Sequence, residues 1–317
     1  MKRLPPAWKK VAGALIVAAA AYFLFRTIEG NWRQIRDYPW HVDPLLLGAS
    51  IAALVGMLAW GVFVWSRVLT RFEHPPVRLS TLWRIWFLSN LARYIPGSVF
   101  ALVTAAQLSR GAGLSAAVML TSLLVHTSLT LVAAVVVSAW TLGPGLFPAL
   151  PVRWIAAGVT AAAVAIVHPR VLNAIIGAIP RLLKRAVIGW NGSWLDGILV
   201  LVLGSVSWSI YGVAYYLFVR SLAPAVPASA IPVLTGVNAL AFVAGVLTPL
   251  PGGIGAREAA MQRLLLPLLP AGVAGVISVA ARLWSVAAEL IGGALVLAFT
   301  RGGLQAVAAG KAAPADP

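Results

Sequence analysis

The sequence predicts an all-α integral membrane protein, a polytopic bundle of about seven to nine helices. Hydrophobic residues make up 61% of the 317 positions and charged residues only 10%, whereas soluble domains carry roughly 25% charged residues. Several apolar runs also reach the length of about 20 residues that a helix needs to cross a bilayer. The chain has too few polar residues to cover a soluble core, so its apolar surface must face lipid.

The distribution of charge supports this fold class. Lys and Arg number 24 against eight Asp and Glu, a formal net charge of +16. The basic residues lie in short clusters at the ends of apolar runs: Lys2, Arg3, Lys9 and Lys10; Arg67, Arg71, Arg78 and Arg84; Arg170, Arg181, Lys184 and Arg185. The positive-inside rule and anionic headgroups produce this distribution. We therefore predict a cytoplasmic N-terminus, with the loops around Arg71 and Lys184 on the same side, and no nucleic-acid partner.

The first predicted span covers residues 11–28 and follows a basic flank. It is similar to a signal peptide, but the downstream chain is membrane-spanning throughout, which favours an uncleaved helix. A polar loop over 29–43 separates it from a second span over 44–66.

Five further spans follow after residue 115. They are predicted over residues 116–142, 154–167, 198–218, 230–247 and 271–299. Gly143-Pro144-Gly145 predicts a tight turn, and the basic loop 168–194 predicts a cytoplasmic connection with a candidate interfacial helix. We assign residues 1–301 to one transmembrane domain and 302–317 to a disordered polar tail.

Two apolar segments are interrupted and are predicted to be broken, re-entrant elements. Arg93 and Pro96-Gly97 interrupt residues 82–102, and a Pro- and Gly-rich run over 249–258 opens a helix that ends near residue 269. Irregular backbone is tolerated within a bilayer only where protein buries it or it lines a cavity. Paired interruptions in the two halves of a transporter mark its central binding site. We expect the two breaks to face each other across a cavity.

The two broken segments also share a spacing. Gln107 follows Pro96 by eleven residues, and Gln262 follows Pro251 by the same interval. Each segment precedes a longer apolar span. The match in spacing reflects either an internal repeat or chance, and the sequence leaves both alternatives open.

The second interruption carries the chemistry of an anion site. After Pro251, the glycines Gly252, Gly253 and Gly255 leave backbone amides free just before a helix begins, and the positive end of a helix dipole attracts anions. Arg257 adds a guanidinium that can bind phosphate through two parallel hydrogen bonds. The alternative is a cytoplasmic turn in which Arg257 lies at the interface and Glu258 stabilises the first helical turn.

Further ionisable residues lie inside apolar segments, where a charge costs at least about 2.5 kcal/mol and is paired or faces an aqueous path. Arg282 and Glu289 lie seven residues apart in the last span and so share a helical face. Arg282 is a candidate ligand, or a structural partner of Glu258 or Glu289. His126 is a candidate proton relay, with a hydrogen bond to a neighbouring helix as the alternative.

Catalytic constellations are missing from the sequence. There is no Cys, no His/Glu pattern with metal spacing, no Gly-x-Ser-x-Gly motif and no P-loop. We therefore predict no catalytic residue, no metal, no cofactor and no enzymatic activity.

Four parts of the chain carry a resemblance to a known protein family. They are Asn90 to Gly97, Pro251 to Glu258 with the order Pro-Gly-Gly-x-Gly-x-Arg-Glu, Arg282, and Glu289 to Gly292. Over residues 10–300 the chain resembles the lysylphosphatidylglycerol synthase transmembrane-region family, also called flippase-like proteins. The resemblance implies a module of about eight helices that moves lipids between leaflets of the bacterial cytoplasmic membrane. The chain ends before any aminoacyl-transferase domain, which implies translocation without synthesis. It departs from the family at His126, where an acidic residue is common.

The sequence therefore predicts a translocase for a lipid with an anionic phosphate headgroup, acting alone, as a homo-oligomer or with lipid-modifying enzymes. The candidate substrate-binding residues are Arg93, Pro96, Gly97, Pro251, Gly252, Gly253, Gly255, Arg257, Glu258, Arg282 and Glu289. One alternative is a non-catalytic membrane subunit of a lipid- or glycan-assembly pathway. Another is a membrane-embedded enzyme that acts on lipid-linked substrates.

Overall fold

The computed structural model describes residues 26, 29–72, 74, 76–92, 100–146, 151–182, 188–248 and 253–299. Within these ranges every regular element is a helix. The eleven α-helices are α1 (Trp32–Arg36), α2 (Pro44–Leu69), α3 (Leu79–Ala92), α4 (Phe100–Gly111), α5 (Ala116–Leu146), α6 (Val152–Ile166), α7 (Pro169–Leu182), α8 (Trp194–Leu222), α9 (Ile231–Leu247), α10 (Ala256–Leu265) and α11 (Ala271–Phe299). A 3₁₀ turn, Ala228–Ala230, precedes α9. The all-helical prediction is confirmed.

Polar side chains set the starts of several long helices. The Asp43 carboxylate accepts hydrogen bonds from the amides of Leu45 and Leu46 at 2.9 and 3.0 Å, at the start of α2. At α8, Ser193 and Asp196 each accept a hydrogen bond from the other's backbone amide. These contacts satisfy amides that the first helical turn leaves without partners. The apolar runs that follow can then continue as uninterrupted helix.

Among the described residues, five helices are long and apolar enough to cross a membrane. They cover Pro44–Leu69, Ala116–Leu142, Trp194–Leu222, Ala228–Leu247 and Ala271–Phe299. Each contains or closely matches a predicted span. Large apolar side chains on them, such as Leu124, Leu199 and Leu283, are exposed, as lipid contact requires and as the surface of a water-soluble monomer would rarely allow. The protein is an integral membrane protein.

The span predicted over 154–167 has a different form. Helix α6 has only 15 residues, and α7 follows it after a bend of 73°. Pro169 lies at the bend and cannot donate the amide that would continue α6. The pair forms a sixth candidate span only when both helices are taken together. Helix α7 lies where the candidate interfacial helix was expected.

The remaining predictions concern one turn near the end of α5 and stretches that the structure does not describe. Helix α5 continues through Gly143-Pro144-Gly145 to Leu146, so the tight turn predicted at those three residues is wrong. The first predicted span, the tail 302–317, Lys184 and Arg185 lie outside the described residues.

The chain divides into two compact units. The first takes Met1–Ser50, Val137–Ala156 and Tyr211–Trp284. In it, the Gln34 side chain accepts a hydrogen bond from the first turn of α11, at Gly272. The Asp43 amide donates to the carbonyl of Ser221, which joins the start of α2 to the end of α8. These contacts fix one end of the unit.

The second unit takes Ile51–Val136, Ala157–Ile210 and Ser285–Pro317. Arg71 and Asp196 form an ion pair at 2.6 Å, and the amide of Asn191 donates to the carbonyl of Arg71 at 2.9 Å. The turn after α2 and the start of α8 therefore lie at the same end of this unit. Lys184 lies outside the described residues, and the expected common side of the basic loops around Arg71 and Lys184 stays a prediction.

Both predicted breaks separate helices that pack on each other. Helix α3 contacts α4 within the second unit, and α9 contacts α10 within the first. With 14, 12 and 10 residues, α3, α4 and α10 extend only about 15–21 Å, too short to cross a bilayer alone. The same succession of a helix, a short helix and a long span thus occurs twice in the described ranges. Residues 93–99 and 249–252 are outside the described ranges, and the expectation that the breaks face each other stays a prediction.

Candidate functional site

The described part of the second interruption contains two glycines in the left-handed region. Gly253 has a φ of 65° and Gly255 a φ of 87°, which side chains with a Cβ rarely adopt. A Cβ at Gly253 would lie 2.7 Å from the Cα and carbonyl oxygen of Gly245 on α9. The two backbones therefore touch directly. This contact turns the chain sharply and places the start of α10 against α9.

The first turn of α10 carries Arg257 and Glu258 side by side. Glu258 is buried, and its Oε2 accepts a hydrogen bond from the Gly255 amide at 2.7 Å. Its other oxygen lies 3.7 Å from Nη1 of Arg282 on α11, an arginine whose side chain is 32% exposed. The structural role that the sequence offered as an alternative for Glu258 and Arg282 is thus present. Glu258 occupies the helix N-terminus that was expected to attract an external anion.

Arg257 has a different environment. Its Nη2 donates to the hydroxyl of Tyr211 on α8 at 3.1 Å and lies 3.5 Å from Oδ1 of Asn238 on α9. Its guanidinium carbon is 5.9 Å from the ring centroid of Phe242. In the part of the chain that the structure describes, no carboxylate oxygen lies within 4.0 Å of this guanidinium. Arg257 is therefore held by neutral oxygens and an aromatic face.

The depth of this guanidinium follows from the helices that hold it. Asn238 lies ten residues after the first and nine before the last residue of the candidate span Ala228–Leu247. Tyr211 is likewise well inside the candidate span Trp194–Leu222. The charge of Arg257 is thus placed level with the middle of two apolar helices. A charge at this depth is expensive and faces a partner, a cavity or a substrate.

An aromatic cluster forms the wall beside Arg257. Tyr211 and Tyr215 are one turn apart on α8, and both rings lie about 6 Å from Trp284 of α11, at 6.0 and 6.1 Å between centroids. Trp284 also stacks on Phe218 at 4.9 Å and donates to the Ser50 hydroxyl at 3.0 Å. The rings are buried. They fix the positions of the two tyrosine hydroxyls.

We use the term Arg257 pocket for Tyr211, Tyr215, Asn238, Phe242 and Arg257. Of the predicted substrate-binding residues, Arg257 lies in it, and Glu258, Arg282, Gly253 and Gly255 belong to the same unit. The four residues from α8 and α9 were not among those predicted from the sequence. A signal existed in Asn238, a polar residue at the centre of an apolar span, and in two tyrosines far from the span ends where aromatic belts lie.

The remaining predicted residues are placed elsewhere. Arg93, Pro96, Gly97, Pro251 and Gly252 lie outside the described residues. Glu289 and His126 belong to the second compact unit, where Nδ1 of His126 is buried without a hydrogen-bond partner among the described residues. Their predicted roles stay predictions.

Near Glu289 on α11, two glycines make close contact with α3. A Cβ at Gly292 would lie 2.3 Å from the ring of Phe87, and one at Gly293 would lie 2.5 Å from the side chain of Leu91. Small residues of this kind let membrane helices approach closely. The helix that enters the first break is thereby packed directly on the last span.

Residues 10–293 match the family model of the lysylphosphatidylglycerol synthase TM region. The protein belongs to the lysylphosphatidylglycerol synthase TM region family. The match includes both breaks, the Arg257 pocket and the Glu258–Arg282 pair, which confirms the family identified from the sequence motifs. No curated protein and no solved structure matches the chain.

Proposed function

We propose that this member of the lysylphosphatidylglycerol synthase TM region family is a lipid translocase that moves a lipid with an anionic phosphate headgroup between leaflets. The observation that carries the proposal is the environment of Arg257. A guanidinium lies at the depth of mid-membrane helix segments and is held by neutral groups. A site with this charge and depth favours an anionic group inside the membrane.

The neighbouring ion pair supports this assignment. Glu258 is engaged by the Gly255 amide and by Arg282, so its negative charge is shared between two partners. Among the described residues, no carboxylate oxygen lies within 4.0 Å of the guanidinium of Arg257 to pair with its positive charge. An entering phosphate group would balance that charge, and its oxygens match the donor fork of arginine.

The lipid's acyl chains would stay in the bilayer while the headgroup passes the Arg257 pocket. The transport itself needs a gradient or a downhill flux of lipid. Glu258 and Arg282 would hold the hairpin of α9 and α10 in place during this passage, and the anionic membrane lipids are the partners that the proposal requires.

The test is a leaflet-resolved assay on purified protein in vesicles. Fluorescent phosphatidylglycerol, phosphatidylethanolamine and a polyprenyl phosphate are each tested for exchange between leaflets with a membrane-impermeant quencher. We expect the wild-type protein to equilibrate at least one anionic lipid. Arg257→Gln should abolish that exchange without changing the melting temperature by more than a few degrees.

Arg263→Gln is the matched control, because Arg263 is exposed on the same helix and loses the same charge. It should retain the wild-type rate. If the wild-type protein moves no anionic lipid, or if Arg257→Gln moves it at the native rate, the proposal is wrong. Mass spectrometry of the recovered lipid separates translocation from the alternative of an enzyme, which would change the lipid chemically. A subunit of an assembly pathway would be inert in both measurements.

A further inference from the structure

Two buried polar atoms beside Arg257 have no hydrogen-bond partner among the described residues: Oη of Tyr215 and Nδ2 of Asn238. Both side chains are fully buried, with 0% of their surface exposed. A buried donor without a partner costs free energy, and such groups are rare in folded proteins. Two of them in one pocket indicate a partner that the described residues do not supply.

The orientation of Asn238 is fixed by its contact with Arg257. The guanidinium is only a donor, so the atom of Asn238 that faces it is the acceptor Oδ1, at 3.5 Å. The amide nitrogen therefore points elsewhere and is a donor. A ligand that satisfies Nδ2 must offer an acceptor atom.

Tyr215 is placed to act on the same ligand. It lies one turn after Tyr211, whose hydroxyl accepts from Arg257 at 3.1 Å, and the rings of both tyrosines lie against Trp284. Its ring is held by Phe218 and Trp284, so the hydroxyl cannot turn away to another partner without moving the cluster. Tyr215 can donate its proton to an acceptor that Arg257 also contacts.

We propose that Nδ2 of Asn238 and the hydroxyl of Tyr215 bind oxygen atoms of the phosphate group that Arg257 attracts. This proposal rests on the proposed function and adds two binding residues to the site. Together with Arg257, they present donors from three helices, α8, α9 and α10. A phosphate group has enough oxygen atoms to accept from all three donors, which a single neutral carbonyl does not.

Two substitutions separate binding from folding. Tyr215→Phe removes only the hydroxyl and keeps the ring contacts, so it should weaken phosphate binding about tenfold while the melting temperature stays the same or rises. Asn238→Asp is nearly isosteric and places a carboxylate next to Arg257. That internal anion should compete with the ligand, abolish its binding, and leave the melting temperature the same or higher.

Tyr216→Phe is the matched control. Tyr216 is also buried on α8, but its hydroxyl accepts a hydrogen bond from Arg220. Its loss should leave binding unchanged and lower the melting temperature or leave it equal. Tyr215→Phe is therefore expected to weaken ligand binding without lowering the melting temperature, whereas Tyr216→Phe is expected to leave binding unchanged without raising that temperature.

The experiment measures binding of short-chain phosphatidylglycerol, short-chain phosphatidylcholine and inorganic phosphate to the purified full chain in detergent by calorimetry, with a melting curve for each variant. We expect phosphatidylglycerol to bind the wild-type protein more tightly than inorganic phosphate does, and Arg257→Gln, Asn238→Asp and Tyr215→Phe to weaken it. Equal affinity for inorganic phosphate would identify a soluble phosphate as the ligand and contradict a lipid source.

The two proposals fail in different ways. If Arg257→Gln loses binding while Asn238→Asp and Tyr215→Phe bind as the wild-type protein does, the role of Asn238 and Tyr215 is wrong and the proposed function stands. If these two variants lose binding only together with a large fall in melting temperature, their role is structural and the inference is overturned. If the wild-type protein binds no anionic probe, the inference falls with the proposed function.

Discussion

The carboxylate of Glu258 accepts a hydrogen bond from the backbone amide of Gly255, with 2.7 Å between Oε2 and the nitrogen. One side chain thereby caps α10 and holds the residue at which the chain leaves the second break. The same carboxylate pairs with Arg282 at 3.7 Å. The local turn and the contact between α10 and α11 are thus linked through a single group, which allows the two roles to be separated by mutation.

Glu258→Gln should destabilise the protein less than Glu258→Ala does. Glutamine keeps an oxygen that can accept from Gly255 and loses only the charge, and a pair with a partly exposed arginine contributes about 1 kcal/mol or less. Alanine also loses the cap, which costs about 1 kcal/mol more. Thermal unfolding of the purified variants measures this order. Glu29→Gln, in an exposed pair with Arg26, is the control and should have no effect; an equal loss for both Glu258 variants would contradict the capping role.

Arg257→Lys should restore only part of the lipid exchange that Arg257→Gln loses. Lysine keeps the positive charge but cannot contact Tyr211 and Asn238 while it also presents a planar fork to phosphate. We expect the affinity for the headgroup to fall about tenfold relative to arginine. Initial exchange rates over a series of lipid concentrations measure this. A lysine variant with native rates would show that charge alone is sufficient.

Gly253→Ala should destabilise the fold and slow lipid exchange. A side chain at a φ of 65° costs roughly 1–2 kcal/mol, and the added Cβ would meet the backbone of Gly245 at 2.7 Å. The melting temperature and the exchange rate should both fall. Gly56→Ala provides the comparison, because a Cβ there meets no atom within 4 Å and alanine favours a helix interior by about 1 kcal/mol. Equal behaviour of the two variants would contradict the close backbone contact.

Single cysteines test the predicted topology in a chain that has no native ones. Position 74 follows the span Pro44–Leu69, and position 41 precedes it. An impermeant thiol reagent added to intact cells should label position 41 and leave positions 74 and 184 unlabelled until the cells are opened. Strong labelling at 184 in intact cells would reverse the predicted orientation.

The sequence predicts the long helices well because composition and length alone decide them. The last span was predicted over 271–299 and α11 has those bounds, since no Pro or charge cluster interrupts it. The second break was also predictable, because Pro and Gly cannot continue a helix; the first lies outside the described residues. Helix α6 was harder, because its apolar residues do not by themselves show that the chain bends by 73° near Pro169.

The site was predicted in part. Arg257, Glu258 and Arg282 were found because charges in apolar segments are rare. Tyr211 and Asn238 were not, because they are 46 and 19 residues from Arg257 and only the packing of α8 and α9 on α10 brings them together. The capping role of Glu258 was an open alternative in the sequence, and the geometry of Gly255 determines it.

The 15 residues of α6 also affect the surrounding bilayer. They extend about 22 Å, whereas an average hydrocarbon core is about 30 Å thick, and the 73° bend means that α7 adds little along the same direction. If α6 and α7 together form a span, the lipids beside them would have to shorten or tilt their acyl chains to match it. A bilayer of short-chain lipids meets that demand at a lower elastic cost than a sterol-rich one. The acyl-chain length of the host membrane should therefore influence how readily this protein inserts and works, independently of any headgroup that it recognises.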